Sequence, residues 1–188
     1  PWAIGFEDVW KGYDDEVLSS VINTNYPDST YWEWTKYSWN LEKDSNQVDG
    51  NVHSGHFGAH CSAGDEGAFH LRTPRFVLPS NMRISYWFRN GARGDAKASN
   101  SDTTLLQITT DGGTNWETLD TVAPGSMMNT WDRHIVDLTG YSSDNVYLRW
   151  MYKVSQTEAT RYFFLDDVKV EPKPDGPVME LGVGEISY

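Results

Sequence analysis

Cysteine is almost missing from this chain, and Cys61 is its single instance. An internal disulfide, a thiolate zinc cluster and a paired-thiol redox motif each need at least two, so none of them is available. Within Gly58-Ala59-His60-Cys61-Ser62-Ala63 a lone cysteine reads as a small buried hydrophobe rather than a nucleophile. Long hydrophobic runs are missing too. No stretch of ~18 apolar residues offers a membrane span, and Pro1 is not followed by the basic-then-apolar pattern of a secretory leader. The expectation is a piece of a longer, multidomain protein with no membrane insertion. Cations are scarce, 15 against 27 acidic residues for a net charge of −12. Most of the surface therefore repels a nucleic-acid backbone, while an acidic excess suits hard cations such as calcium, which take carboxylate and carbonyl oxygen.

Helical periodicity is the third absence. What recurs instead is a short alternating run bounded by Gly, Pro, Asn, Asp or Ser, the pattern of many strands joined by turns. The clearest runs are Phe69 to Arg72, Met82 to Arg89, Thr104 to Thr110, Arg133 to Leu138, Val146 to Val154 and Tyr162 to Val170. In 188 residues this predicts one all-β domain, a sandwich of two antiparallel sheets. The segment Thr110-Asp111-Gly112-Gly113-Thr114-Asn115-Trp116 predicts a tight hairpin, because Asp-Gly-Gly supplies positive-φ positions. Asp95 to Asp102 reads as a surface loop. The Pro-rich run from Glu171 to Pro177 cannot continue a sheet, which puts the domain at 1–171 and a linker or the start of another segment at 172–188. The run Tyr31 to Trp39 holds five rings in nine residues and fits either a strand aromatic on both faces or an ordered loop.

Alternation assigns faces. In the second run Met82, Ile84, Tyr86 and Phe88 share a core side, leaving Arg83, Ser85, Trp87 and Arg89 outward. In the fifth, Val146, Leu148, Trp150 and Tyr152 point inward and Tyr147, Arg149, Met151 and Lys153 outward. If both strands belong to one sheet, Arg83, Trp87, Arg89, Tyr147, Arg149 and Lys153 form a single aromatic and basic ligand face. On it rings stack on sugar while cations donate to hydroxyls or uronate carboxylates. The alternative is that the Trp32 to Trp39 segment covers this face and Trp87 is a second layer of core. Along the last run Tyr162, Phe164, Val168 and Val170 share a face with Asp166, which places a carboxylate on the apolar side. His53, His56 and His60 lack a zinc-protease spacing and read as polar strand residues. No nucleophile elbow, phosphate loop or carboxylate pair from separate segments has supporting context, and the chain is expected not to be an enzyme.

Taken in order, a set of motifs resembles a known architecture. They are Gly5-Phe6-Glu7, Ser54-Gly55 before a small-residue strand, Leu71-Arg72-Thr73-Pro74, Ser85-Tyr86-Trp87-Phe88, the Asp-Gly-Gly hairpin, Trp131 with Val136-Asp137-Leu138-Thr139, Val146-Tyr147-Leu148-Arg149-Trp150, and Phe164-Leu165-Asp166-Asp167-Val168. From about Gly5 to Val170 they resemble the jelly-roll modules of the MAM and cleaved-adhesin kind, and also the jelly-roll carbohydrate-binding modules. The resemblance implies a jelly-roll β-sandwich with a structural calcium held by Glu7 and Asp166. Asp8, Asp167 and carbonyls of the His53 to Gly58 turn are lesser candidates; the competing reading has Asp166 at a sheet edge accepting backbone hydrogen bonds. It further implies an extracellular, secreted or cell-surface setting and a noncatalytic module that binds glycan. The second implied role is a protein-binding adhesion or structural accessory module of a secreted peptidase or adhesin.

Overall fold

The computed structural model describes residues 51–54, 57–63, 66–73, 75–91, 102–123, 130–155 and 161–174, with strand backbone also at 2–4, 33–34 and 39–43. The described residues form twelve strands: β1 Trp2–Ile4, β2 Glu33–Trp34, β3 Trp39–Lys43, β4 Phe57–Ala63, β5 Gly67–Arg72, β6 Phe76–Leu78, β7 Met82–Gly91, β8 Thr103–Thr109, β9 Glu117–Val122, β10 Asp132–Asp137, β11 Ser143–Val154 and β12 Arg161–Pro172. They form two six-stranded antiparallel sheets. The first runs β10-β7-β12-β4-β3 with β1 also on β12, and the second runs β2-β5-β11-β8-β9 with β6 also on β11. All six runs read from the alternation are strands. Among the described residues no helix is long and apolar enough to cross a membrane. Loop residues 95–101 and the tail from Asp175 lie outside the described residues.

The core lies between the sheets. Ile84, Tyr86, Phe88, Phe163 and Leu165 of the first meet Leu71, Leu106, Ile108, Leu148, Trp150 and Tyr152 of the second. Tyr86 meets Trp150 edge-on at 5.5 Å, and Phe163 stacks on both Phe88 and Tyr152 at 6.0 Å. Large rings in staggered contact fill a sandwich interior with few side chains, which is where part of the aromatic excess goes. Cys61 belongs to this core, and burial pushes its thiol well up, which makes it inert. At one margin Tyr86 donates to Asp120 at 2.8 Å and His134 Nδ1 sits 2.5 Å from the same carboxylate, so β7, β9 and β10 are pinned together across the two sheets.

The aromatic run Tyr31 to Trp39 covers neither face in its described parts. Glu33–Trp34 extends the second sheet beside β5, whereas Trp39–Lys43 extends the first beside β4. The hairpin between β8 and β9 forms as its sequence predicts. Asp111 accepts from the Thr109 hydroxyl at 2.6 Å and from the Thr114 and Asn115 amides at 3.0 Å, which holds its carboxyl well below the usual range. Gly112 has φ 76°, and a Cβ there would come within 2.6 Å of the Asn145 amide.

Candidate functional site

The two outward stripes read from β7 and β11 belong to different sheets, so they do not form one face. Arg83, Trp87 and Arg89 lie on the outside of the first sheet; Tyr147, Arg149 and Lys153 lie on the outside of the second, some two layers away.

On the first sheet the stripe is consumed by a second layer. Arg89 is 6% exposed. Its guanidinium donates to Asn51 at 2.6 Å and lies 4.3 Å from the Phe164 ring and 5.8 Å from Trp131. Trp87 is half-buried beneath His53, the rings stacked at 3.8 Å, and Trp131 meets His53 edge-on. Arg83 is tied to Glu171 through two hydrogen bonds of 3.0 and 2.6 Å. Each of the three thus has partners within the chain: His53 lies on Trp87, Asn51 and Phe164 hold the buried Arg89, and Glu171 pairs with Arg83.

Asp166 lies under the same cover. It sits on the outer face with Phe164, not on the apolar side with Val168 and Val170, because β12 carries a bulge between Asp166 and Lys169 in which Asp167 has φ 47°. The extra residue reverses the alternation, so Phe163 and Leu165 point inward before it and Val168 and Val170 after it. Asp166 is 1% exposed and, being in the middle of a sheet, is not at an edge. It nevertheless accepts backbone hydrogen bonds, from His53 at 2.9 Å, Ser54 at 3.2 Å and Asp167 at 2.7 Å. Burial, and then the neighbouring Asp167 charge, push its carboxyl up to about 6. Asp167 in turn accepts from the Ser54 hydroxyl at 2.7 Å and lies 2.6 Å from His53 Nδ1. A carboxylate offers roughly four lone-pair directions, so Asp166 retains about one. Among the described residues no group of three or more His, Cys, Asp or Glu side chains gathers to hold a metal ion. Glu7 lies outside the described residues, and so do Asp8 and His56. His60 is a buried strand residue packed on Tyr162 and Phe164.

On the second sheet the stripe is half-buried apart from Lys153 and gains partners that β11 alone does not reveal. Arg149 is flanked across the strands by Arg72 on β5 and Gln107 on β8. Arg149 Nε donates to the Gln107 carbonyl at 2.8 Å, and the Gln107 amide donates onward to Thr118 at 3.1 Å, so the guanidinium is held at a fixed tilt. Its carbon lies 3.9 Å over the Trp116 ring, whose indole N–H is anchored to the Gly113 carbonyl at 3.1 Å. Beside it the Arg72 guanidinium lies 4.5 Å over Tyr147. These groups are half-buried, and Lys153 is exposed further along β11. The result is two guanidinium–ring pairs side by side on the outer face, set by the strand register and the hairpin. Arg72 and Trp116 were legible as the outward end of the Phe69 to Arg72 run and the ring closing the Asp-Gly-Gly hairpin. What the sequence lacks is the statement that both neighbour Arg149.

The sequence pattern described as Reelin subrepeat B matches residues 49–171. No curated protein matches the chain. Among solved structures, TmCBM61 in complex with β-1,4-galactotriose superposes with a TM-score of 0.56 at 16% identity, over 77% of this chain and 90% of that one. A carbohydrate-binding module of the β-sandwich superfamily gives 0.54 at 10% identity, over 79% of this chain and 61% of that one. The K2 cleaved adhesin domain of Lys-gingipain gives 0.51 at 13% identity, over 90% and 97%. At these identities the likeness establishes the jelly-roll β-sandwich fold.

Proposed function

The chain belongs to the Reelin subrepeat B family over the residues that build most of both sheets, and we propose that it is a noncatalytic binding module of a secreted or cell-surface protein that recognises carbohydrate. The ligand face is the outside of the second sheet. The observation that carries this reading is the pairing of Trp116 with Arg149 and of Tyr147 with Arg72 on one outer sheet surface. Rings present an apolar face to a pyranose while guanidiniums donate to its oxygens, and side chains already fixed by Gln107 and Gly113 lose little freedom on binding. The fold is shared with a module crystallised with a galactose trisaccharide, which supports the reading by analogy only. A glycan array probed with the wild type, Trp116→Ala and Arg149→Ala tests it. Binding lost in both variants, with melting curves kept, is the expected result; wild-type binding to no glycan overturns it.

Calcium is the structural ion of this proposal. Asp166 would supply one oxygen, with Glu7 and carbonyls of the His53 to Gly58 turn completing the shell, and the ion's role would be to hold segment 51–54 against β12. Chelation should lower the melting temperature of the wild type and leave that of Asp166→Asn unmoved. An unchanged wild-type curve removes calcium from the proposal. The module is taken to span 1–171, with 172–188 leading into another part of a larger protein. The chain leaves the sheet at Pro172, after which the Lys173 amide donates to the Asn81 carbonyl.

A protein-binding adhesion or accessory role is the second reading, and β10 favours it. This strand, at the edge of the first sheet among the described residues, exposes Ile135 at 52%, an apolar side chain of the kind that can meet a partner strand. Loss of partner binding in Ile135→Lys, with glycan binding absent, would select this reading.

A further inference from the structure

Hydrogen bonding fixes which side of β10 faces away from its sheet. The Leu138 amide donates to the Met82 carbonyl at 2.9 Å, continuing the register in which Val136 meets Ile84 and His134 meets Tyr86. Bonded positions recur every second residue in an antiparallel pair, so the backbone of His134 and Val136 bonds to β7 and that of Arg133, Ile135 and Asp137 points away from it. The Arg133 amide, turned away in this manner, donates to the carboxylate of its own neighbour Asp132 at 2.8 Å. Among the described residues no strand pairs with that side. The same three residues carry the exposed side chains of the strand, on the outer face of the sheet. Edge strands are commonly blunted by Pro, by Lys or by a bulge. β10 runs Asp132-Arg133-His134-Ile135-Val136-Asp137 in unbroken register with none of these.

Resting on the protein-binding reading of β10, we propose that the partner at this edge is a second copy of the chain, paired antiparallel through β10 about a two-fold axis at Ile135. In that register the Ile135 side chains meet each other, and Arg133 of each copy faces Asp137 of the other. The outward backbone groups of Arg133, Ile135 and Asp137 then stand in bonding positions, the Arg133 amide exchanging Asp132 for the partner's backbone. Moving the axis to Arg133 or to Asp137 sets like charges opposite one another, so charge selects one register. Neither charge has to be unpartnered beforehand. Arg133 gives an N–H to the Ser85 hydroxyl at 3.1 Å, and Asp137 accepts from the Thr139 amide at 2.8 Å and from the Lys173 ammonium. A guanidinium has further donors and a carboxylate further lone pairs, and both side chains are exposed, so each can add a contact. Copies of net charge −12 repel at a distance, and a ladder this short makes a weak, concentration-dependent dimer and not a permanent one.

Sedimentation velocity of the full chain, from low to high micromolar concentration, tests the pairing. The wild type should move reversibly from monomer toward dimer as concentration rises. Arg133→Asp sets carboxylates opposite each other and Asp137→Arg sets guanidiniums opposite each other, so each variant alone should self-associate at least about tenfold more weakly. Mixed in equal amounts the two variants are complementary at both pairs, and the mixture should associate about as tightly as the wild type. Rescue by mixing separates a contact between copies from a fault in folding, such as loss of the Asp137 contacts with Thr139 and Lys173. A wild type that stays monomeric throughout overturns the second copy. It leaves the protein-binding reading standing where Ile135→Lys still loses a different partner, and overturns that reading too where Ile135→Lys loses nothing. Self-association that survives both single substitutions, or that their mixture fails to restore, removes the contact from β10 and overturns the proposal.

Discussion

The outer faces of the two sheets start from the same sequence device and end differently. β7 sends out Arg83, Trp87 and Arg89; β11 sends out Tyr147, Arg149 and Lys153, in each case one ring with two cations. On the first sheet segment 51–54 and Trp131 fold over the strand, and the cation becomes a buried clamp between Asn51 and Phe164. On the second sheet the described neighbours are other strands of the same sheet and the β8–β9 hairpin, and Arg72 and Arg149 stay half-buried against rings. Alternation fixes which way a side chain points; whether it meets solvent is decided by chain elsewhere.

Substitutions on the two faces should therefore separate cleanly. The largest effect is expected at Arg89: Arg89→Ala opens a void among Asn51, Phe164 and Trp131 and leaves a buried amide oxygen without this donor. About 3 kcal/mol of stability should be lost in denaturant unfolding. A loss under about 1 kcal/mol would mean that the cover is not a second layer of core. Trp87→Ala comes next at roughly 2 kcal/mol, since it removes the platform on which His53 lies. Glycan binding by the folded fraction should be unchanged, and a variant that folds normally but no longer binds would return the ligand to the first sheet.

A third measurement addresses the joint between the sheets. Burial, and then Asp120, hold the Tyr86 hydroxyl far above its ordinary value, while the unfolded chain releases that proton near pH ~10. Above that pH the folded state retains the proton and the unfolded state does not, so this contribution is whole below pH ~10 and declines as pH rises beyond it. Tyr86→Phe should flatten the alkaline limb of the stability profile, at a cost of about 1 kcal/mol at neutral pH. The smallest effect is expected at Arg149, where Arg149→Ala should cost about 1 kcal/mol or less, because it loses one part-buried hydrogen bond to Gln107 and the contact with Trp116. A larger loss would make the second face structural as well and erase the contrast.

Much of the fold could be read in advance because period-two alternation is strong in β7, β8 and β11, whose inward apolar residues are all buried, although in β7 the outward Ser85 and Arg89 are buried too. The short strands β1, β2 and β6 were out of reach, since two or three residues carry no period. Two features defeated the reading of the site. Alternation carries no record of which sheet a strand joins, so the stripes of β7 and β11 looked like one surface. It also assumes an unbroken count, and the bulge at Asp167 breaks it: Val168 and Val170 are core, but Asp166 lies on the opposite side of the strand. The adjacent carboxylates Asp166-Asp167 mark the place without revealing the slip.

The pairing of β1 with the last strand has a mechanical consequence. Trp2 sits opposite Val170 and Ile4 opposite Val168, so the strand enters at the end of the ladder where β12 leaves. Tension carried through the chain on either side of these residues does not shear the pair with all rungs sharing load. It peels the rungs one after another, the weaker way to pull on an antiparallel ladder. β12 meanwhile stays seated between β7 and β4. Under stretch the domain should release its first strand at low force and hold the rest, giving a short compliant extension ahead of the sandwich itself.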